Sequence, residues 1–238
     1  MDSASLHSLI PILDGVDRWA ELAPLLPIII SLELVLSADN AVALAVIAKV
    51  QRSPELQKRA LDIGIVIALL LRIMLILAAQ LVIKYWFIKL ISGIYLLSLF
   101  ISSLNKQSPI GTIENDENTN QAKSESLLKT IFFLALTDLA FSIDSVTAAV
   151  AISDQIVLVV TGAIIGVIAL RFTSGLFIKW LEEYSHLELA GYIAVGIVGL
   201  KQIVQLLTPQ YILSEWQMMI LIATLFVWGF SKKNITEG

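Results

Sequence analysis

Seven apolar stretches, parted by polar joints, leave this chain few ways to fold. A helix that crosses a membrane needs about 20 mostly apolar residues. Six segments reach or approach that length, at 22–48, 63–83, 87–104, 127–152, 156–180 and 187–207. A seventh, at 216–230, is shorter and is closed by Lys232 and Lys233 as interfacial anchors. Only 15% of the residues are charged and 57% are hydrophobic, whereas a soluble domain carries about a quarter charged residues. Such an excess of apolar surface calls for lipid rather than for a larger core. The chain therefore reads as all-α, a polytopic membrane protein with seven transmembrane helices. It divides into an extracytoplasmic N-terminal segment at 1–21, three helices over 22–104, a polar loop at 105–126, three helices over 127–207 and a last helix at 214–231.

Orientation follows from the basic residues, which concentrate on the cytoplasmic side of membrane proteins. Arg18, Lys84 and Lys89 fall at one set of boundaries. Lys49, Arg52, Lys58, Arg59, Lys106, Lys123, Lys129, Lys179, Lys232 and Lys233 fall at the other. Three against ten places the N-terminus outside, and the loop and C-terminus in the cytoplasm, as expected for a multi-pass protein of the cell inner membrane. The N-terminal acids Asp2, Asp14, Asp17 and Glu21 face Arg18 alone, the wrong charge for a cleavable signal peptide.

The same polar pattern occurs twice. Glu33-Leu-Val-Leu-Ser37-Ala-Asp39-Asn40 in the first helix aligns with Asp138-Leu-Ala-Phe-Ser142-Ile-Asp144-Ser145 in the fourth at an offset of 105. Leu71-Arg72 aligns with Leu170-Arg171 at an offset of 99, and Gly93 with Gly191 at 98. Apolar residues match easily by chance, but polar matches at equal depth do not. Each copy holds three helices, so the second enters the membrane from the opposite side. Two inverted repeats plus one extra helix is a plan found in transporters, which place the substrate near the midplane between the copies.

An ionised side chain at the centre of a span costs about 2.5–3.5 kcal/mol on insertion scales. Glu33, Asp39, Asp138, Asp144, Arg72, Arg171 and Lys201 all fall inside the spans and must find partners in the bundle. Structural ion pairing is the plainest account, but four acids against three bases leave it unbalanced. Ser37, Ser142 and Asn40 line the same faces. Carboxylate, hydroxyl and amide oxygens are hard ligands that suit Mg²⁺, Ca²⁺ or Mn²⁺. At about 100° per residue, Glu33 and Asp39 diverge by about 120°, as do Asp138 and Asp144. The two acids of each helix either serve separate environments or flank a locally unwound segment.

Several classes drop out. Net charge is −4 and no basic stripe is present, so nucleic acid is not an expected partner. Cysteine is absent, and His7 and His186 are the only histidines, which disfavours thiolate or imidazole metal sites. His186 reads as a solvated loop residue. Trp19, Tyr85, Trp86, Trp180, Trp216 and Trp228 read as an interfacial aromatic belt, and Gly93, Gly191, Gly196 and Gly199 as close helix contacts.

The paired signatures beginning at Glu33 and Asp138 resemble those of the TerC family of integral membrane proteins, over nearly the whole chain. The resemblance implies a seven-helix fold of the broad lysine-exporter-like superfamily. It also implies manganese export, or metal handling linked to exported proteins, with Glu33, Asp39, Asn40, Asp138 and Asp144 lining the metal path. The polar N-terminus and the 105–126 loop depart from the pattern away from these motifs. The leading expectation is thus a Mn²⁺ transporter, not an enzyme, working by alternating access through a site of Glu33, Ser37, Asp39, Asn40, Asp138, Ser142 and Asp144. Protons are compatible as coupling ions because buried carboxylates titrate, and a homodimer is compatible with the sequence. The alternatives are a metal-binding scaffold or assembly factor, and an intramembrane aspartyl hydrolase. The second lacks the Gly-x-Gly-Asp sequence expected near that chemistry.

Overall fold

The computed structural model describes residues 24, 27–31, 38–51, 53–104, 120–152, 156–208 and 214–233. Beyond a helical stretch at 27–31, these residues form α1 (Ala38–Lys49), α2 (Pro54–Leu77), α3 (Ala79–Lys84), α4 (Trp86–Leu104), α5 (Asn120–Ile152), α6 (Ile156–Glu183), α7 (Ser185–Leu207) and α8 (Glu215–Gly229). Among the described residues no strand forms, and Tyr184 and Lys233 share a single bridge.

By length and apolarity α2, α4, α6, α7 and the Ser126–Ala151 part of α5 can cross a membrane. The chain is a multi-pass integral membrane protein. α1 and α8 are apolar but shorter, at 12 and 15 residues. At about 1.5 Å per residue neither reaches the roughly 30 Å of a hydrocarbon core. The first expected span lies partly outside the described residues.

Local chemistry sets several boundaries. Ser53 caps α2 by accepting a hydrogen bond from the Leu56 N–H at 3.2 Å, and Pro54 occupies the first turn, where its missing N–H costs nothing. This start precedes the expected one at 63, so Lys58 and Arg59 lie in the first turns of a helix and not in a loop. A turn at Ala78 separates α2 from α3, yet the Ala78 N–H donates to Met74 O and the Val82 N–H to Ala78 O. The two pieces therefore form one bent path. α5 begins at Asn120, inside the segment expected to be loop. Ser214 and Gln217 form a capping box at the start of α8.

α1 is the axis of the bundle. Every residue from Asn40 to Ala48 is buried, as expected for a helix enclosed by others on all sides. α4 packs along α7, α2 along α5, and α1 against α6, α7 and α5. The α4–α7 crossing depends on glycine. A Cβ on Gly199 would lie 2.9 Å from both Gly93 O and Leu96 Cβ. Gly191 gives way to Val42, where a Cβ would lie 2.7 Å from Val42 Cγ1.

One end of the bundle is tied by polar contacts. Lys49 Nζ donates to Leu181 O at 3.1 Å and to Glu188 Oε2 at 2.9 Å. Gln51 Nε2 donates to Ser126 O and to Thr130 Oγ1, and the Ser185 N–H donates to Lys232 O. The α1–α2 joint, the start of α5, the α6–α7 joint and the chain beyond α8 thus share one end. His186 sits there in the first turn of α7, stacked on Trp228 with ring centroids 5.0 Å apart, and its Nδ1 is buried without a hydrogen bond. It is not the solvated loop residue expected. Trp180 packs edge-on against Phe177 and Phe230, whereas Trp86 and Trp216 remain exposed.

Candidate functional site

α5 carries the chemistry that the structure describes. It runs unbroken through Asp138, Ser142 and Asp144, so no unwinding occurs there. Six residues of helix separate the two acids by about 9 Å along the axis and turn them about 120° apart. They serve two environments.

Asp138 faces α2. Arg72 Nη2 reaches Asp138 Oδ1 at 3.2 Å and Oδ2 at 3.3 Å, while Arg72 Nε donates to Ser142 Oγ at 2.8 Å. Ser142 in turn donates to the Asp138 backbone oxygen at 2.7 Å. Arg72 and Asp138 are both 0% exposed. The guanidinium spreads its donors over a carboxylate and a hydroxyl, which is how a buried ion pair offsets its desolvation.

Asp144 faces α4 and α7 instead. Lys201 Nζ of α7 donates to Asp144 Oδ2 at 2.9 Å, and Lys89 Nζ of α4 lies 3.7 Å from Oδ1. The Asp144 side chain keeps 16% exposure and Lys89 20%, against 5% for Lys201. A neutral seam lies beside this pair. Gln202 Nε2 donates to Ala140 O at 3.1 Å, the Ser92 hydroxyl donates to Gln202 Oε1, and the Tyr95 and Thr137 hydroxyls lie 2.9 Å apart.

The other expected site residues divide. Asn40 is buried on α1. The Asp39 backbone belongs to the first turn of α1, but its side chain lies outside the described residues, as do Glu33 and Ser37 entirely. Among the described residues no group of three His, Cys, Asp or Glu side chains comes together. Arg171 does not mirror Arg72, because it pairs with Asp62 of α2 on a half-exposed face.

Lys89, Ser92 and Gln202 were not legible as site residues. Lys89 resembles a boundary lysine, three residues into α4, and Ser92 and Gln202 resemble ordinary polar exceptions in apolar helices. Only helix pairing brings them to α5. Spacing offers one signal: Ser92 follows Lys89 at i+3, which places both on one face.

A profile described as Integral membrane protein TerC family matches residues 18–236. Three membrane proteins of Bacillus subtilis (strain 168), each described as uncharacterized, are similar. YceF is 34% identical over 182 residues, covering 73% of this chain and 68% of YceF. YkoY is 32% identical over 190 residues, covering 73% of this chain and 57% of YkoY. YjbE is 31% identical over 180 residues, covering 75% of this chain and 78% of YjbE. No solved structure matches.

Proposed function

This chain belongs to the TerC family of integral membrane proteins, and from that membership and the carboxylates of its interior we propose that it carries a divalent metal ion, Mn²⁺ before Ca²⁺ or Mg²⁺, across the membrane. The observation that carries this reading is Asp144, a partly accessible carboxylate inside a membrane span, held by the Lys89 and Lys201 ammonium groups. Asp138, by contrast, is locked to Arg72.

An inverted-repeat transporter of seven helices is the architecture proposed. Helix pairing supports it. Exchanging the two halves converts the α2–α5 contact into α1–α6, and α1–α7 into α4–α5, and all four occur. Depth supports it as well. Asp39 stands ten residues from the end of α1, about 15 Å, and Asp144 stands eight residues from the opposite end of α5, about 12 Å. Inversion would bring two such carboxylates toward a common level near the midplane, where a cation between them removes their repulsion. Glu33, Ser37, Asn40 and Ser142 complete the proposed oxygen-rich path. Ammonium and guanidinium partners suit ion exchange better than the shared proton of an aspartyl hydrolase.

Export rests on the family resemblance alone, while the basic residues support an outer N-terminus and a cytoplasmic 105–126 loop. Flux of Mn²⁺ into liposomes holding the purified protein tests the reading. Transport that saturates and that Ca²⁺ or Mg²⁺ competes for poorly is the expected result. Binding without flux would instead support a scaffold.

A further inference from the structure

Asp144 is gripped by two cations that arrive from a single structural unit. Lys89 and Lys201 belong to α4 and α7, which cross so closely at Gly93 and Gly199 that a Cβ on Gly199 would meet Gly93 O at 2.9 Å. A close crossing of that kind couples the two helices. Beside the apolar cluster of Leu96, Phe141 and Val198, this unit holds α5 by two kinds of polar contact. One is neutral: Gln202, which is 0% exposed, donates to Ala140 O, and the Tyr95 hydroxyl meets Thr137. The other is ionic and sits about one turn away, at the partly exposed Asp144.

We propose that Lys89 and Lys201 are the tethered counter-cations of the metal-free site, and that a divalent ion gains Asp144 only by displacing them. The inference rests on the metal-transport reading and adds what that reading leaves open, the role of the lysines. Charge makes the exchange natural. Two ammonium groups on one carboxylate carry the same +2 as the arriving ion, so the carboxylate is never left bare at membrane depth. An unpaired charge there is the expensive state. Protein and ion cannot hold the same carboxylate lone pairs together, so binding and grip oppose each other. Displacement leaves the neutral seam and the apolar packing between α5 and the α4–α7 unit, and removes the ionic grip at this end. The lysines also return the carboxylate to a paired state once the ion has left, which lets the empty protein reset.

Lys89→Met and Lys201→Met keep the long apolar stem and remove the charge. Mn²⁺ binding to purified, folded protein in detergent is measured by calorimetry, and turnover by flux in liposomes. A displaced competitor predicts that each variant binds Mn²⁺ more tightly, by about tenfold, while turnover falls because the empty site no longer resets. A merely structural lysine would not tighten binding. If Lys201→Met fails to fold, Lys89→Met decides, since that ammonium is more exposed and farther from Asp144. Unchanged or weaker Mn²⁺ affinity in a folded variant of a metal-binding wild type overturns this proposal and leaves the transport reading standing. Absence of Mn²⁺ binding by both wild type and folded variants overturns the transport reading, and this proposal with it.

Discussion

Asp138 and Asp144 lie six residues apart on one continuous helix, yet the first is sealed against Arg72 and the second opens toward Lys89 and Lys201. The two acids therefore answer differently to neutralisation. Asp138→Asn takes from the buried Arg72 guanidinium the carboxylate charge that Nη2 meets at 3.2 Å. Breaking one side of a buried pair costs about 3–5 kcal/mol, so the variant should unfold at clearly lower temperature in detergent. Asp144→Asn should change the melting temperature less. A paired Arg72→Met, Asp138→Leu variant should recover much of the loss, because it removes both charges together. Equal melting temperatures for Asp138→Asn and the wild type would argue that Arg72 has another sufficient partner.

The α4–α7 crossing predicts a steep size dependence. Gly199→Val pushes a side chain against Gly93 O and Leu96 Cβ, so the helices must part. Overpacking of this kind costs about 1–3 kcal/mol. At Gly175 an added Cβ meets only Arg171 Nη1, at 3.3 Å, and Gly175→Ala should be neutral or slightly stabilising. Thermal unfolding of the two purified variants checks the contrast.

Much of this architecture could be read from residue pattern. Apolar length marks the long spans, and α4, α5 and α7 end where hydropathy changes, at Leu104, Ile152 and Leu207. Polarity misleads at the other ends. Ser53-Pro54-Glu55 is a helix start written in polar residues, and Asn120 opens α5 in a segment without apolar character. Asp138 and Arg72 could each be recognised as needing a partner, and the structure pairs them. Asp144 needed the α4–α7 crossing before Lys89 became its neighbour, and no one-dimensional pattern encodes that crossing. The alignment of Arg171 with Arg72 set the expectation of a similar partner, but Arg171 pairs with Asp62 of α2 instead.

Topology is testable without background, since the chain has no cysteine. A cysteine at Asn118 should stay unlabelled by an impermeant thiol reagent in intact cells and react after permeabilisation. One near the N-terminus should show the reverse. Labelling of Asn118→Cys in intact cells would invert the orientation.

Direction has its own test. Cells lacking the protein should accumulate manganese and grow poorly in added Mn²⁺, as measured by elemental analysis and growth. Lower cellular manganese in the deletion strain would mean uptake.

The central claim is that the membrane-embedded carboxylates of the two halves hold the transported ion. Asparagine keeps the shape of aspartate and one oxygen but removes the charge that a divalent cation needs. The most direct measurement is Mn²⁺ flux into liposomes containing the Asp39→Asn, Asp144→Asn double variant, with folding verified by its melting temperature and by monodisperse purification. Flux should fall to the level of protein-free liposomes, and each single variant should be severely slowed. Near-normal flux through the folded double variant would contradict the account and return both acids to a structural role.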